Sequence, residues 1–148
     1  MWVIFLLNNY IYMIKKNICM KKENKIKMLD AEVAAAYEVL KSNIDKIPKD
    51  LFFTIRKKMR SIESIHSAFI EDAKAAGQRI ASEKGNTEVK DGNEIFTTKG
   101  AKAMNKLQKE LDSRMSEVEI IEPRLTEEQI KELPQEVNLA IYYLEKIL

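Results

Sequence analysis

The chain has 148 residues, of which 45% are hydrophobic and 32% charged, with only four glycines and three prolines. This length suits one domain with one core, and the composition favours long helices over a sheet sandwich and argues against a disordered chain. The single cysteine excludes an internal disulfide and a multi-cysteine zinc site, so a reducing compartment, the cytoplasm, is expected.

The net charge of +2 is unevenly distributed along the chain. Residues 1–28 contain six lysines and one glutamate, so residues 29–148 together carry a small negative charge. Proteins that bind nucleic acid neutralise its phosphates with a broad basic surface, which this body lacks. Nucleic-acid binding is therefore the less favoured function, and its one candidate site is a basic patch made of Arg56, Lys57, Lys58 and Arg60.

The first 28 residues differ in character from the rest and are predicted to be an apolar and basic N-terminal extension. Their apolar stretch of about a dozen residues is shorter than the roughly 20 that a membrane-spanning helix needs. No basic region precedes it and no small-residue cleavage site follows it, as a secretory signal requires. Three interpretations stay open for residues 1–19. The first is that translation starts later, at Met20 or Met28. The second is that the segment is membrane-associated, and the third is that it packs on the body or on another subunit.

Residues 29–148 are predicted to form one helical domain. Asp30 is the expected N-cap of a first helix, which Pro48 ends. Asp50 is the expected N-cap of a second helix that runs without proline to about Lys84, a length of about 50 Å at 1.5 Å per residue. Apolar residues recur along it at alternating spacings of three and four, the heptad pattern of a helix-packing seam. The predicted interaction seam consists of Phe52, Ile55, Met59, Ile62, His66 and Phe69.

Two short strands around a turn at Lys90 to Asn93 are predicted after the second helix. Thr98 is the expected N-cap of a third helix, whose own apolar seam offers a partner for the second. The short connection predicts an antiparallel, coiled-coil-like hairpin of long helices with a small β-hairpin at its tip. A brief extended stretch near Val118 and a last helical unit, which begins at a capping box of Thr126 and Gln129, complete the predicted fold.

No pattern in the sequence indicates catalysis or cofactor binding. A phosphate loop, a dinucleotide glycine motif and a serine elbow are all missing from the sequence. His66, the one histidine, occupies a seam position, where a polar residue often fixes helix register. The segment from Asp91 to Glu94 lacks the alternating acids of a calcium loop. We therefore expect a protein that is not an enzyme and that holds no cofactor or metal.

A resemblance to known proteins rests on four segments of the sequence. In chain order they are AYEVLKS, VKDGNEIF, KAMNKLQKELDSRMSEVEI and LPQEVNLAIYYLEKIL. Over about residues 30–148 the chain resembles a loosely defined family of small phage and prophage helical proteins of unknown function. In architecture alone it also resembles prefoldin-like chaperone subunits, which have a hairpin between coiled-coil helices. The first resemblance implies a phage-encoded protein in the host cytoplasm, and neither implies a catalytic residue.

The leading hypothesis is a non-enzymatic protein that acts by helix-mediated contact or assembly with a protein partner, which includes a second copy of itself. The first alternative is a nucleic-acid-linked regulator that uses the basic patch, and a steep salt dependence of binding would identify it. The second is a small protein associated with the membrane through residues 1–19.

Overall fold

A computed structural model describes residues 24–139 and 145–148 of the chain. The membrane-associated or mis-assigned segment that the sequence suggests at residues 1–19 lies outside the described residues. So do residues 140–144, which belong to the last helical unit that the sequence predicts. The described part is mainly helical, with one long helix and two small antiparallel strand pairs, which confirms the predicted class.

Strand β1 (Lys25–Leu29) and strand β4 (Met115–Glu119) form the first antiparallel pair. Ile26 and Met28 alternate with lysines along β1, and Met28 is fully buried in the core. Residues 25–28, which were predicted to belong to the N-terminal extension, are therefore part of the folded body. The boundary expected at residue 28 falls inside a strand, because this strand shows its apolar side chains at only every second position.

Helix α1 (Asp30–Ser42) follows β1 directly, and a short 3-10 turn (Ile44–Lys46) connects it to the next helix. Leu29 occupies the N-cap position that was expected for Asp30, and no side chain caps the helix. The carboxylate of Asp30 instead points into the protein, where the side chain of Arg114 contacts it. This ion pair accounts for the difference, since a carboxylate held inward cannot accept from the first-turn N–H groups.

Helix α2 (Lys49–Ser82) has 34 residues, which confirms the predicted long helix. It begins at Lys49, one residue before Asp50, which was the expected N-cap. Pro48 occupies the N-cap position, and its carbonyl accepts a hydrogen bond from the N–H of Leu51 at 3.0 Å. The fixed backbone angle of proline suits this position at the helix start. Asp50 lies in the first turn, where a negative charge favours the helix dipole.

Strands β2 (Thr87–Lys90) and β3 (Asn93–Phe96) form the second antiparallel pair. Their two connecting residues, Asp91 and Gly92, both have positive φ, as the tightest hairpin turns require. Helix α3 (Thr98–Ser113) follows, and its N-cap is Thr97 rather than the expected Thr98. The hydroxyl oxygen of Thr97 accepts from the Gly100 N–H and its proton is donated to the Gly85 carbonyl, so this residue joins the helix start to the tip.

Two short helices follow β4, namely α4 (Glu127–Lys131) and α5 (Gln135–Leu139). The capping box of Thr126 and Gln129 is present, as predicted. Val137 and the C-terminal Leu148 are buried, and the N–H of Leu125 donates to the carbonyl of Leu148 at 2.7 Å. The end of the chain therefore belongs to the core, together with α1, the first half of α2 and the β1–β4 pair.

The second half of α2 leaves this core at about residue 67, and α3 packs beside its later turns. We call residues 67–113, which comprise this half-helix, the β2–β3 pair and α3, the arm. Its facing apolar side chains, which include Ile80 and Leu107, are only partly buried. Two helices side by side therefore leave much of their apolar surface in contact with solvent.

Candidate functional site

The predicted interaction seam on α2 lies mostly inside the core. Ile55, Met59 and Ile62 are almost fully buried, whereas Phe52 and Phe69 at the two ends are half-buried. The three buried residues belong to the cluster that α1 completes with residues such as Leu40.

The third helix was the partner that the spacing suggested for this seam, and α1 takes that place along the first half of α2. The reason is the position of α3: Arg114, which follows its last residue, contacts Asp72 of α2. Helix α3 therefore runs beside α2 only from about residue 72 onward. The periodicity of α2 correctly marks the buried face but cannot say which element covers it.

His66 fastens α1 to α2. Its ring, 8% exposed, stacks on Tyr37 with 4.3 Å between ring centroids, and its Nε2 lies 2.7 Å from Oε1 of Glu38. The hydroxyl of Tyr37 donates to Glu63 at 3.4 Å, and burial together with the Glu63 carboxylate raises the pKa of Tyr37. This cluster joins two helices through polar contacts and a ring stack.

No group of three or more histidine, cysteine, aspartate or glutamate side chains in the described ranges 24–139 and 145–148 could hold a metal ion. None of the helices in those ranges is both long and apolar enough to cross a membrane.

The four residues of the predicted basic patch do not share one surface. Arg56, Lys57 and Arg60 are exposed, but Lys58 is only 1% exposed, and its Nζ donates to the carbonyl of Ile121 at 2.5 Å. Burial lowers the pKa of Lys58, and the nearby carboxylate of Glu122 opposes that shift. Lys58 therefore contacts the segment after β4 instead of solvent. Its direction differs from that of Lys57, because consecutive residues of a helix point about 100° apart.

An exposed aromatic side chain lies among the remaining cations. Phe53 is 81% exposed, and its ring meets that of Phe52 edge-on at 5.6 Å between centroids. Lys49, Arg56, Lys57 and Arg60 are exposed at spacings of four, three, four and seven residues from Phe53, which places all five on one side of α2. We call this set the basic–aromatic face.

Phe53 was not among the residues predicted from the sequence, because its neighbour Phe52 fits the heptad seam and was assigned to it instead. The signal was available: a phenylalanine outside the seam, one turn from three cations, is a large apolar residue on a charged helix side.

Two grooves border Phe53. The larger, of about 430 Å³, lies towards the turn before α2 and is lined by Ile44, Ile47 and Phe52 with Asp45 and Lys49. The smaller, of about 230 Å³, lies on the other side of the ring between α2 and the segment from Ile121 to Pro123. The ring therefore stands as a ridge between two depressions with apolar walls and charged rims.

Arg114 connects the arm to the body. Its Nε lies 2.8 Å from Oδ2 of the buried Asp30, and its Nη1 lies 2.7 Å from Oδ2 of the exposed Asp72. These two carboxylates raise the pKa of Arg114, and the largest cause is the hydrogen bond that Arg114 donates to Asp72. Oδ1 of Asp30 is buried and has no hydrogen-bond partner among the described residues, so the ion pair of this side chain is made through Oδ2, with Arg114.

Comparisons with models of protein families, with curated proteins and with solved structures found no match to this chain. The function proposed below therefore depends on the side chains and surfaces described above.

Proposed function

We propose that the chain is a non-enzymatic binding protein that acts by helix-mediated contact with another protein through the basic–aromatic face of α2. The observation that carries this proposal is Phe53, a phenylalanine that is 81% exposed and surrounded by exposed cations. A large exposed aromatic ring at a charged surface is typical of a contact that a partner completes, since aromatic and arginine side chains dominate binding energy in interfaces.

The chemistry of the face indicates the chemistry of the partner. Lys49, Arg56, Lys57 and Arg60 attract a segment with acidic side chains. The grooves on either side of Phe53 can accept apolar side chains from that segment, while the ring inserts between them. The partner surface is therefore an acidic one with two or more projecting apolar residues.

The resemblance to small phage and prophage proteins supports a phage-related origin and a location in the host cytoplasm. In that setting we propose that the chain acts by assembling or regulating a larger protein.

A nucleic-acid-linked regulator is the second candidate. Arg56, Lys57 and Arg60 could neutralise phosphates while a base stacks on Phe53, as in single-strand binding. Burial of Lys58 reduces the patch to three cations, and the acidic rim residues Asp45 and Glu122 border the grooves beside the ring. These features favour a protein partner over a polyanion.

Photocrosslinking in the native host tests the proposal. A photoreactive phenylalanine analogue is placed at Phe53, and the matched control carries it at Val89, which is 77% exposed at the tip of the arm. We expect a defined protein adduct from position 53 only, with an acidic surface at the crosslinked site. Adducts that nuclease removes would support the alternative, and equal adducts from both positions would contradict the proposal.

The partner that the crosslink identifies is then purified, and its affinity for the chain is measured. Phe53→Ser should weaken binding by about 2 kcal/mol or more, as loss of a central aromatic side chain does. Lys57→Glu should weaken it and reduce its salt dependence. The control Lys90→Glu, an exposed charge change at the tip, should leave binding unchanged. A partner that binds Phe53→Ser as well as the natural chain would refute the role of this face.

A further inference from the structure

The two grooves beside Phe53 have the same arrangement of charge. In the larger groove Lys49 belongs to α2, whereas Asp45 belongs to the 3-10 turn that forms the far wall. In the smaller groove Lys57 belongs to α2, whereas Glu122 belongs to the segment after β4 that forms the far wall. Each groove therefore has a positive rim beside the ring and a negative rim away from it.

Two further cations near these far walls make contacts elsewhere. The ammonium of Lys46 lies 3.0 Å from the carboxylate of Glu136, and the guanidinium of Arg124 donates to the carbonyl of Glu145. Neither cation lines a groove. The negative charge of the far rims is therefore available to a bound segment.

The grooves meet α2 on opposite sides of the Phe53 ring. The larger one is lined by Phe52, about 100° around the helix in one direction, and the smaller one by Thr54 and Lys58, which lie in the other direction. The ring between them is 81% exposed. A segment that fills both grooves must therefore cross α2 over the ring instead of running along the helix.

We infer that the partner segment is an acidic amphipathic helix that crosses α2 and receives the Phe53 ring in a hole between four of its side chains. This inference rests on the proposed function and specifies the shape and charge pattern of its partner. When helices pack, a side chain of one inserts into a hole formed by residues i, i+3, i+4 and i+7 of the other. Here the residues at i and i+7 are apolar and fill the two grooves, and those at i+3 and i+4 are small and leave room for the ring.

The dimensions of the ring favour a helix over an extended segment. Two side chains that contact opposite sides of a phenyl ring are roughly 8–12 Å apart, because each carbon contact adds 3.5–4.0 Å to the width of the ring. Residues i and i+7 of a helix are about 10.5 Å apart, whereas alternate residues of a strand are about 6.8 Å apart. An extended segment would also press unpaired backbone N–H and C=O groups onto side chains of α2, whereas a helix pairs its own.

The charges of the face fix where the acids of the partner helix belong. Acids beside the hole lie over α2, where Lys49, Lys57 and Arg56 attract them. Acids beyond i or i+7 lie past the grooves, where Asp45 and Glu122 repel them. The partner helix should therefore carry its negative charge near its centre and not at its ends.

Three synthetic helices test the inference, each cross-linked on the face away from the hole because short isolated helices are marginal in water. The central-acid peptide has leucine at i and i+7, alanine at i+3 and i+4, and glutamate at i+1 and i+6. The terminal-acid peptide has the same composition but exchanges these glutamates with alanines at i−3 and i+10. The filled-hole peptide has leucine in place of the two alanines of the hole. Fluorescence anisotropy at low salt measures their affinity for the full chain.

The natural chain should bind the central-acid peptide at least about 5-fold more tightly than the terminal-acid peptide, because only the first avoids the acidic far rims. It should bind the filled-hole peptide at least about 10-fold more weakly, since the added methylenes compete with the ring for space. Phe53→Ser should weaken the central-acid peptide at least about 10-fold and should bind the filled-hole peptide about equally well, because its side chain needs no hole. Asp45→Lys should tighten the terminal-acid peptide selectively.

The matched control is Val89→Ser, which removes an exposed apolar side chain at the tip of the arm and should leave all three affinities unchanged. Circular dichroism should show equal helical content in all variants. Binding of none of the peptides, equal binding of the central-acid peptide and either of the others, or a filled-hole penalty that persists in Phe53→Ser would each overturn the inference.

The crosslink from position 53 separates this inference from the proposed function, because it forms whatever the conformation of the partner. An adduct at that position with an extended segment of an acidic protein would overturn the helical partner and leave the proposed function standing. The absence of any adduct that is specific to position 53 would overturn both.

Discussion

The ion pair between Arg114 and Asp30 should be the most sensitive polar contact of the fold. Replacement of Arg114 by methionine keeps much of the side-chain length but removes both ion pairs that this residue makes. The carboxylate of Asp30, 1% exposed, would then be buried without a countercharge, and its Oδ1 already has no hydrogen-bond partner among the described residues. Loss of the contact with Asp30 should therefore lower the free energy of unfolding much more than loss of the contact with Asp72.

The expected cost follows from burial. Loss of one partner from a buried ion pair costs about 3–5 kcal/mol, and partial exposure of Arg114 places its loss near the lower value, about 3 kcal/mol. Asp72→Asn removes only an exposed partner and should cost less than about 1 kcal/mol. Asp30→Asn combined with Arg114→Met should be more stable than Arg114→Met alone, because the double change leaves no uncompensated charge.

Urea unfolding followed by circular dichroism at pH 7 measures the free energy of unfolding of the natural chain and the four variants, including Asp30→Asn alone. We expect a coupling energy between positions 30 and 114 of at least about 1 kcal/mol. Strictly additive effects of the two changes, or an Asp72→Asn cost equal to that of Arg114→Met, would refute the burial argument.

Two further predictions concern single side chains. Burial lowers the pKa of Lys58 below its ordinary value of 10.5. Between the lowered pKa and 10.5 the unfolded chain binds more protons than the folded chain, so the free energy of unfolding, relative to that of Lys58→Met, should rise with pH in that window. Urea unfolding at a series of pH values measures it, and a difference between the two proteins that stays constant with pH would contradict the prediction. Gly100→Ala should destabilise the tip by about 2 kcal/mol or more, because the added Cβ would lie 2.0 Å from the carbonyl oxygen of Asn86. In the control Gly77→Ala the added Cβ meets Met104 at ordinary contact distance, and the variant should gain up to about 1 kcal/mol of helix propensity. Thermal unfolding measures both changes.

The sequence was sufficient for those features that local rules determine. The length of α2, the capping box at Thr126 and the burial of Ile55 and Met59 follow from periodicity and from capping residues. The strand β1 could have been predicted too, since Ile26 and Met28 alternate with lysines in the two-residue period of a strand.

Other features depend on contacts between distant parts of the chain. The burial of Lys58 depends on the carbonyl of Ile121, 63 residues later, and that of Asp30 on Arg114. Neither partner is visible in the local pattern, which shows a lysine among exposed cations and an aspartate at a helix start. The candidate site was therefore only partly predictable. Three of its cations, Arg56, Lys57 and Arg60, were predicted, but Lys49, the aromatic ring among them and the grooves beside it were not.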